Sequence, residues 1–290
     1  MNYRIVHRTT YDYSEPVTVS HHAARVKPRM LDHQQRLDFA LRITPEPPVR
    51  KVRTDYFGNN VCFFSIQELH QRLEVTAESL VSVTETTPPA AALSPPWEQV
   101  VRLFSDPVSP TVADPYQFCF DSPGAHAMRD LADYAQSSFA TGTPLLHAVA
   151  DLNRRIHADF TYDPVPTTVA TPLEEVIAQR RGVCQDFAHL AIASLRSMGL
   201  PARYVSGYLR TRPPEGKERL VGADASHAWF SAFCPDLGWV DFDPTNNVLP
   251  ADEHITVAYG RDFGDVSPVS GILTGGGEHI VKVSVDVAPA

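Results

Sequence analysis

The chain has 290 residues, of which 43% are hydrophobic and 20% are charged, and its formal net charge at pH 7 is -9. This composition is typical of globular proteins, and the length suffices for two domains with separate cores. The acidic excess lies beyond residue 88 and no basic stripe is present, which argues against a nucleic-acid partner. No segment approaches the roughly 18 consecutive apolar residues of a membrane helix, so we expect no membrane partner either.

The N-terminal segment and the cysteines indicate the compartment. MNYRIVHRTTYDY lacks the apolar core of a signal peptide, so we predict a cytoplasmic protein. The four cysteines, Cys62, Cys119, Cys184 and Cys234, are far apart and form neither a CxxC pair nor a zinc ligand set. We therefore expect reduced thiols, no metal site and no cofactor, and the sequence contains no calcium loop of the EF-hand type.

The first part of the chain is predicted to be rich in β-strands. Its segments alternate and are rich in β-branched and aromatic side chains, as in YRIVHRTTYDY and RLEVTAESLVSV. The segment TTPPAAALSPP that follows contains too much proline for a helix or a central strand. We therefore predict a β-rich N-terminal domain over residues 1–88, a proline-rich linker over 89–100 and a second domain over 101–290.

The second domain is predicted to begin with helices and to end with strands. AMRDLADYAQSSF, the segment opened by Pro144 and TPLEEVIAQRRG have helical spacing, and a further helix begins at Cys184 and ends at Gly199. The pattern then changes to period two, and a glycine turn near the C-terminus precedes a closing strand. This order predicts an α+β domain with an antiparallel sheet.

Cys184 allows two interpretations. It shares an apolar stripe with Phe187, which favours a buried core thiol. Its position in the first turn of a helix favours a nucleophile, because unpaired N–H groups and the helix dipole stabilise a thiolate. A backbone N–H there can also donate to an oxyanion, and Gly182 permits a close approach to the helix. Both interpretations stay open on this segment alone.

Two later segments support the nucleophile. SHAWFSAF places His227 in a strand, and GWVDFDPT places Asp243 at the end of the next. Adjacent antiparallel strands can bring these side chains within hydrogen-bond reach, and an imidazole held by a carboxylate and facing a thiol is an arrangement for nucleophilic catalysis. Asp241 is a nearby alternative to Asp243.

These segments carry a family resemblance. GVCQDFAHLAIASLRSMGLPARYVSGY, followed by SHAWFSAFCPDLGWVDFDPTNN, resembles the core of the bacterial transglutaminase-like superfamily, which has the papain-like cysteine peptidase fold. The first ~85 residues resemble the β-rich N-terminal domain of many bacterial members. The resemblance implies an α+β fold in which the helix carrying the cysteine packs on an antiparallel sheet.

The same resemblance implies roles for individual residues. Cys184 would be the nucleophile, His227 the base and Asp243 the orienting acid, preferred over Asp241 because the family's acid precedes the Pro-Thr turn. Tyr162 is a candidate for the second oxyanion donor.

Three further residues near these motifs are assigned by position. Asp186 either strengthens the start of the helix or faces the substrate. Trp229 either walls the cleft or belongs to the core, with the core favoured. His189, five residues after the cysteine, should point elsewhere.

The predicted reaction is cysteine-dependent acyl transfer on amide bonds of a peptide or protein substrate through a thioester. Water as the acceptor gives a peptidase or amidase, and an amine acceptor gives a protein-crosslinking transglutaminase. The resemblance favours hydrolysis. A non-catalytic peptide-binding module on the same fold is a third alternative, and the sequence leaves the oligomeric state and the role of the N-terminal domain open.

Overall fold

The structure, a computed structural model, describes residues 1–105, 110–163, 171–211 and 226–290. The N-terminal part is an antiparallel sheet, as its alternating pattern predicts. Its strands are β1 (Asn2–Ala24), β2 (Gln34–Thr44), β3 (Val49–Thr54), β4 (Asn60–Ile66) and β5 (His70–Val83). Their order is β2-β5-β1-β4-β3, so the long first strand is central. The prediction of a β-rich N-terminal region is confirmed.

The helices follow the proline-rich segment. Residues 84–90 lie outside helices and strands, and a single 3₁₀ turn, Ala91–Leu93, precedes the first α-helix. The helices are α1 (Trp97–Ser105), α2 (Pro110–Tyr116), α3 (Arg129–Gln136), α4 (Leu145–Asp159), α5 (Leu173–Gln179), α6 (Cys184–Ser197) and α7 (Phe263–Val266). In the part of the chain that the structure describes, no helix is both long and apolar enough to cross a membrane.

Helix α6 is the central helix of this part. It begins at Cys184, as predicted, and every residue from 186 to 196 is buried. Gly199, just after its end, has φ +75°, a left-handed conformation that glycine adopts without a steric cost and that stops the helix.

The sheet behind α6 is antiparallel, with the order β10-β9-β8-β11. Its strands are β8 (Ala202–Leu209), β9 (Ser226–Cys234), β10 (Gly238–Phe242) and β11 (His254–Gly260). Helix α6 packs on β8 and β9. Two short strands, β6 (Thr161–Tyr162) and β7 (Arg181–Gly182), pair in parallel beside the start of α6. The predicted α+β class, with the cysteine-bearing helix on an antiparallel sheet, is confirmed.

The C-terminal strands join the N-terminal sheet, although they lie in the predicted second domain. β12 (Val269–Gly275) and β13 (His279–Pro289) both pair with β1, so the N-terminal sheet has seven strands. The expected closing strand therefore completes the N-terminal sheet and not the sheet behind α6. A period of two identifies a strand but carries no information about its partner. The predicted 101–290 domain thus contributes residues 269–289 to the other sheet, while the boundaries at 88 and 100 stay a prediction.

The two sheets share one hydrophobic core. Tyr3 and Ile5 of β1, with Val285 and Val287 of β13, belong to the same buried cluster as Ile255 of the second sheet. Burial of apolar surface contributes about 25 cal/mol per Å², so this shared core holds the N-terminal sheet against the sheet behind α6.

Candidate active site

The start of α6 is held by its own side chains. Val183 precedes the helix in an extended conformation, and its N–H donates to Asp186 Oδ2 at 2.8 Å. This hydrogen bond satisfies one of the N–H groups at the helix start. Asp186 is 3% exposed, and burial raises the pKa of its carboxyl, although the Val183 hydrogen bond opposes the rise. Of the two predicted alternatives, Asp186 therefore strengthens the helix start.

Gly182 makes this arrangement possible. A Cβ on Gly182 would lie 2.8 Å from both Cβ and Oδ2 of Asp186, closer than side-chain atoms tolerate. The side chain that comes close to this glycine is therefore that of Asp186. Cys184, the first residue of α6, is half-buried.

The three residues predicted for catalysis lie together. His227 is the second residue of β9 and is 8% exposed, and Asp243 follows β10 and is 0% exposed. His227 Nε2 and Asp243 Oδ2 are 2.7 Å apart. Cys184 lies close enough to His227 for its side chain to raise the pKa of the imidazole. Because Nε2 faces Asp243, Nδ1 is the ring nitrogen left for the thiol.

The two buried charges stabilise each other. Burial alone would lower the pKa of His227, but the hydrogen bond to Asp243, the interaction with Cys184 and the negative charges of both groups outweigh burial and raise it. Burial alone would raise the pKa of Asp243, but hydrogen bonds from His227, His254 and Asn246 hold it far below its usual range. Asp243 is therefore ionised at neutral pH, and an imidazolium is the favoured form of His227 opposite it.

The Asp243 carboxylate accepts more hydrogen bonds than the sequence indicated. Oδ1 accepts from the N–H groups of Thr245 and Asn246 at 2.9 and 3.2 Å. Oδ2 accepts from Asn246 Nδ2 at 2.7 Å and from His254 Nε2 at 3.1 Å, besides His227. Asn246 had a local signal, because Asp and Asn in a turn commonly bond nearby backbone. His254, 11 residues after Asp243 and at the start of β11, had none.

Asp241 has a different environment. Its carboxylate accepts from Trp229 Nε1 at 3.0 Å and from the Ser231 hydroxyl, so its described partners do not include His227. Trp229 is 0% exposed and packs with Val205 and Tyr259. The assignment of Trp229 to the substrate cleft is corrected, because a side chain without exposed surface cannot contact a substrate, and the favoured core alternative is observed.

Tyr162 lies at the edge of the same site. It pairs with Gly182 through β6 and β7, and it is 50% exposed. Burial raises the pKa of its hydroxyl, and the negative charge of Cys184 raises it further. His189 points elsewhere, as expected, and its Nε2 accepts from the Phe263 N–H at 3.1 Å.

His227, Asp243 and His254 also form a group that could hold a metal ion. One ligand atom of each lies within 4.8 Å of the others, among the residues that the structure describes. These atoms already hydrogen-bond one another, which satisfies them without an ion. The absence of a metal site stays a prediction.

Both halves of the chain match known protein families. Residues 3–82 match the bacterial transglutaminase-like N-terminal region, and residues 132–244 match the transglutaminase-like superfamily. The chain belongs to the transglutaminase-like superfamily. The family predicted from the three sequence motifs is thereby confirmed.

Individual relatives extend this result. The uncharacterized protein Rv2569c of Mycobacterium tuberculosis is 40% identical over 295 residues, which cover 99% of this chain and 92% of that protein. A protein-glutamine gamma-glutamyltransferase of Pseudomonas aeruginosa is 34% identical over 125 residues, or 42% of this chain and 18% of that protein. The solved structure of a "putative cysteine protease" from Cytophaga hutchinsonii has a TM-score of 0.75 and 22% identity, and it covers 100% of this chain and 91% of that one. This likeness supports the fold.

Proposed function

We propose that the chain is a cysteine-dependent enzyme that cleaves amide bonds of peptide or protein substrates through a thioester, as a peptidase or amidase. One observation carries the proposal: a buried imidazole bonds an ionised carboxylate through Nε2 and lies close enough to the cysteine that begins α6 for that side chain to raise its pKa. This is the relation of nucleophile, base and orienting acid in a triad.

The first half-reaction forms the thioester. His227, held as an imidazolium by Asp243, carries the proton taken from the Cys184 thiol, and the thiolate sulfur attacks the carbonyl carbon of the amide. The tetrahedral intermediate collapses when the C–N bond breaks, and His227 returns the proton to the departing nitrogen. Asp243 keeps the imidazole oriented and stabilises its positive charge throughout, since its carboxylate is fixed by five donors.

The oxyanion of that intermediate needs hydrogen-bond donors. Cys184 is the first residue of α6, and the first N–H groups of a helix have no acceptor within the helix. Its own N–H is therefore one donor, and the Tyr162 hydroxyl, whose pKa responds to the charge of Cys184, is the proposed second.

The second half-reaction resolves the thioester. In hydrolysis, His227 takes a proton from water while the water oxygen attacks the thioester carbon. The C–S bond then breaks, the sulfur recovers that proton from His227, and a carboxylic acid is released. An amine acceptor would give a new amide and thus crosslinking. The similarity to a protein-glutamine gamma-glutamyltransferase over 125 residues makes crosslinking the second candidate.

Site-resolved alkylation tests the proposal. Cys184 should react with iodoacetamide well below pH 8, and His227→Ala should slow this reaction strongly. The other thiols are internal controls, since burial raises the pKa of Cys119 to about 12 and that of Cys234 to about 11. If Cys184 reacts no faster than they do, the free protein has no activated nucleophile and the binding-module alternative is favoured.

If Cys184 is activated, assays of product formation with and without an added amine distinguish water from an amine as the acceptor of the thioester. Peptide amides should be hydrolysed without an added amine, and Cys184→Ala should remove the activity while it leaves the fold intact. Product that forms only with an added amine would favour crosslinking.

A further inference from the structure

Strand β11 is the edge strand of the sheet behind α6, and its outer side is bound by two amide side chains from the N-terminal region. The N–H of Thr256 donates to Gln34 Oε1 and its C=O accepts from Gln34 Nε2, both at 2.8 Å. Asn59 repeats the pattern at Tyr259, with distances of 2.8 and 2.7 Å. Each amide thus supplies the donor and the acceptor that a neighbouring strand would supply.

These two contacts, called here the amide clamps, are buried and hydrogen-bonded on both sides. Gln34 and Asn59 are both 0% exposed. Gln34 Nε2 also donates to Arg29 O at 2.9 Å, and the Arg29 N–H donates to Thr256 O at 3.1 Å. Since buried polar groups are costly to leave unpaired, the clamps hold β11 at one register against the N-terminal region.

The Gln34 clamp is close to the proposed triad along β11. His254 lies two residues before Thr256 and donates through Nε2 to Asp243 Oδ2 at 3.1 Å. His254 is 7% exposed and packs edge-on against Trp229, with ring centroids 5.2 Å apart. Its side chain therefore transmits a shift of β11 directly to the carboxylate.

The clamp is also in line with His227 across the sheet. Thr256 is opposite Gly207 of β8, and Gly207 is opposite His227 of β9. A Cβ on Gly207 would overlap Ile255 O and the Trp229 ring, so the strands are packed as closely as glycine allows. Thr256, Gly207 and His227 thus lie side by side on three neighbouring strands. Gln34 binds the first of them, and the last is the proposed base.

We propose that the N-terminal region positions the triad through β11: Gln34 fixes Thr256, and His254 consequently holds the Asp243 carboxylate toward His227. This inference rests on the proposed function. Gln34 and His254 are positioning residues, since neither is required to touch the substrate. The β-rich region therefore contributes to the site although its sequence contains none of the predicted catalytic residues.

Four variants test the proposal in the full chain. Gln34→Met removes the clamp at similar volume, His254→Phe removes the donor to Asp243, and His254→Gln retains an N–H donor. Asn59→Leu is the matched control, because it removes the same kind of clamp from the same strand but five residues from His254. The readouts are the pH profile of Cys184 alkylation, thermal unfolding, and the imidazole N–H resonance of His254.

Gln34→Met and His254→Phe should each slow alkylation near pH 7 by on the order of tenfold, the effect of one lost hydrogen bond. A variant that combines Gln34→Met with His254→Phe should be alkylated no more slowly than His254→Phe alone, because both changes act through the contact of His254 with Asp243. His254→Gln should recover part of the rate, and Asn59→Leu should lower the unfolding temperature without changing the profile.

The two proposals fail in different ways. Unactivated Cys184 in the unaltered protein would overturn the proposed function, and the His254 resonance would still test the positioning. That resonance should lose its hydrogen-bonded shift in Gln34→Met and keep it in Asn59→Leu. The positioning role would be overturned by any of three results. These are an unchanged His254 resonance in Gln34→Met, additive losses of alkylation rate in the double variant, and equal losses of that rate in Gln34→Met and Asn59→Leu.

Discussion

Replacing Asp243 with asparagine tests the electrostatics of the site most directly. Two backbone N–H groups converge on Oδ1, and three side-chain donors, including His227 and His254, converge on Oδ2. An asparagine has one oxygen, so either orientation turns its NH₂ group toward at least two donors. Buried donors without an acceptor cost about 1–3 kcal/mol each, so we expect Asp243→Asn to lower the free energy of unfolding by roughly 2–5 kcal/mol.

The loss of activity should be larger than the loss of stability. With an NH₂ group opposite it, His227 Nε2 would have to become an acceptor, which puts the ring proton on Nδ1 and removes the base from Cys184. A wrong tautomer of this kind costs about 10⁴-fold in rate in a serine protease triad. We expect a comparable decrease in amide hydrolysis and in Cys184 alkylation.

The stability difference should depend on pH. Asp243 has a lowered pKa, so its contribution is present above the unfolded value of about 3.9 and is lost as the pH falls toward the folded pKa. His227 has a raised pKa, so its contribution is present below about 6.5 and is lost as the pH rises through the folded pKa. The difference between the unaltered protein and Asp243→Asn should therefore be largest near pH 5–6.5 and decrease on both sides.

Asp241→Asn is the matched control. It changes the same residue type two positions earlier, where the described partners are Trp229 and Ser231. It should lower the unfolding temperature yet leave the hydrolysis rate within a few-fold. Chemical denaturation across pH and initial rates on peptide amides measure both quantities. Full activity in Asp243→Asn with a large loss in Asp241→Asn would refute the assignment and move the third role to Asp241.

Three further substitutions have defined outcomes. Tyr162→Phe should leave stability unchanged, since the residue is 50% exposed, and reduce kcat by about 10²-fold if its hydroxyl is the second oxyanion donor; an unchanged kcat would remove it from that role. Gly207→Ala should destabilise the protein by about 1–3 kcal/mol in thermal unfolding, because its Cβ would overlap Ile255 O, and equal stability would contradict the close packing. Arg196→Met should cost about 3–5 kcal/mol in denaturant unfolding, because the buried guanidinium donates to four backbone carbonyls and a hydroxyl; a loss below about 1 kcal/mol would show that these acceptors find other donors.

The sequence by itself determined the local elements and the family. A period of two marked the first strands, and a glycine, a cysteine in a first turn and an apolar stripe placed the start of α6 at Cys184. The three motifs around Cys184, His227 and Asp243 together were sufficient for the superfamily. These features depend on neighbours within a few residues, and short-range sterics and hydrogen bonding determine them without the rest of the chain.

Only the tertiary structure decided which elements meet. The alternation of β13 fits either sheet equally well, and its pairing with β1 depends on the shared core that buries Val285 and Val287. The sequence allowed Trp229 to line a cleft or to lie in a core, and its burial in the folded chain places it in the core. Gln34 reaches Thr256 across 222 residues, and His254 reaches Asp243 from another strand. Such contacts follow from the packing of distant strands, for which a single sequence has no local signal, and for that reason the positioning of the triad became visible only in the folded chain.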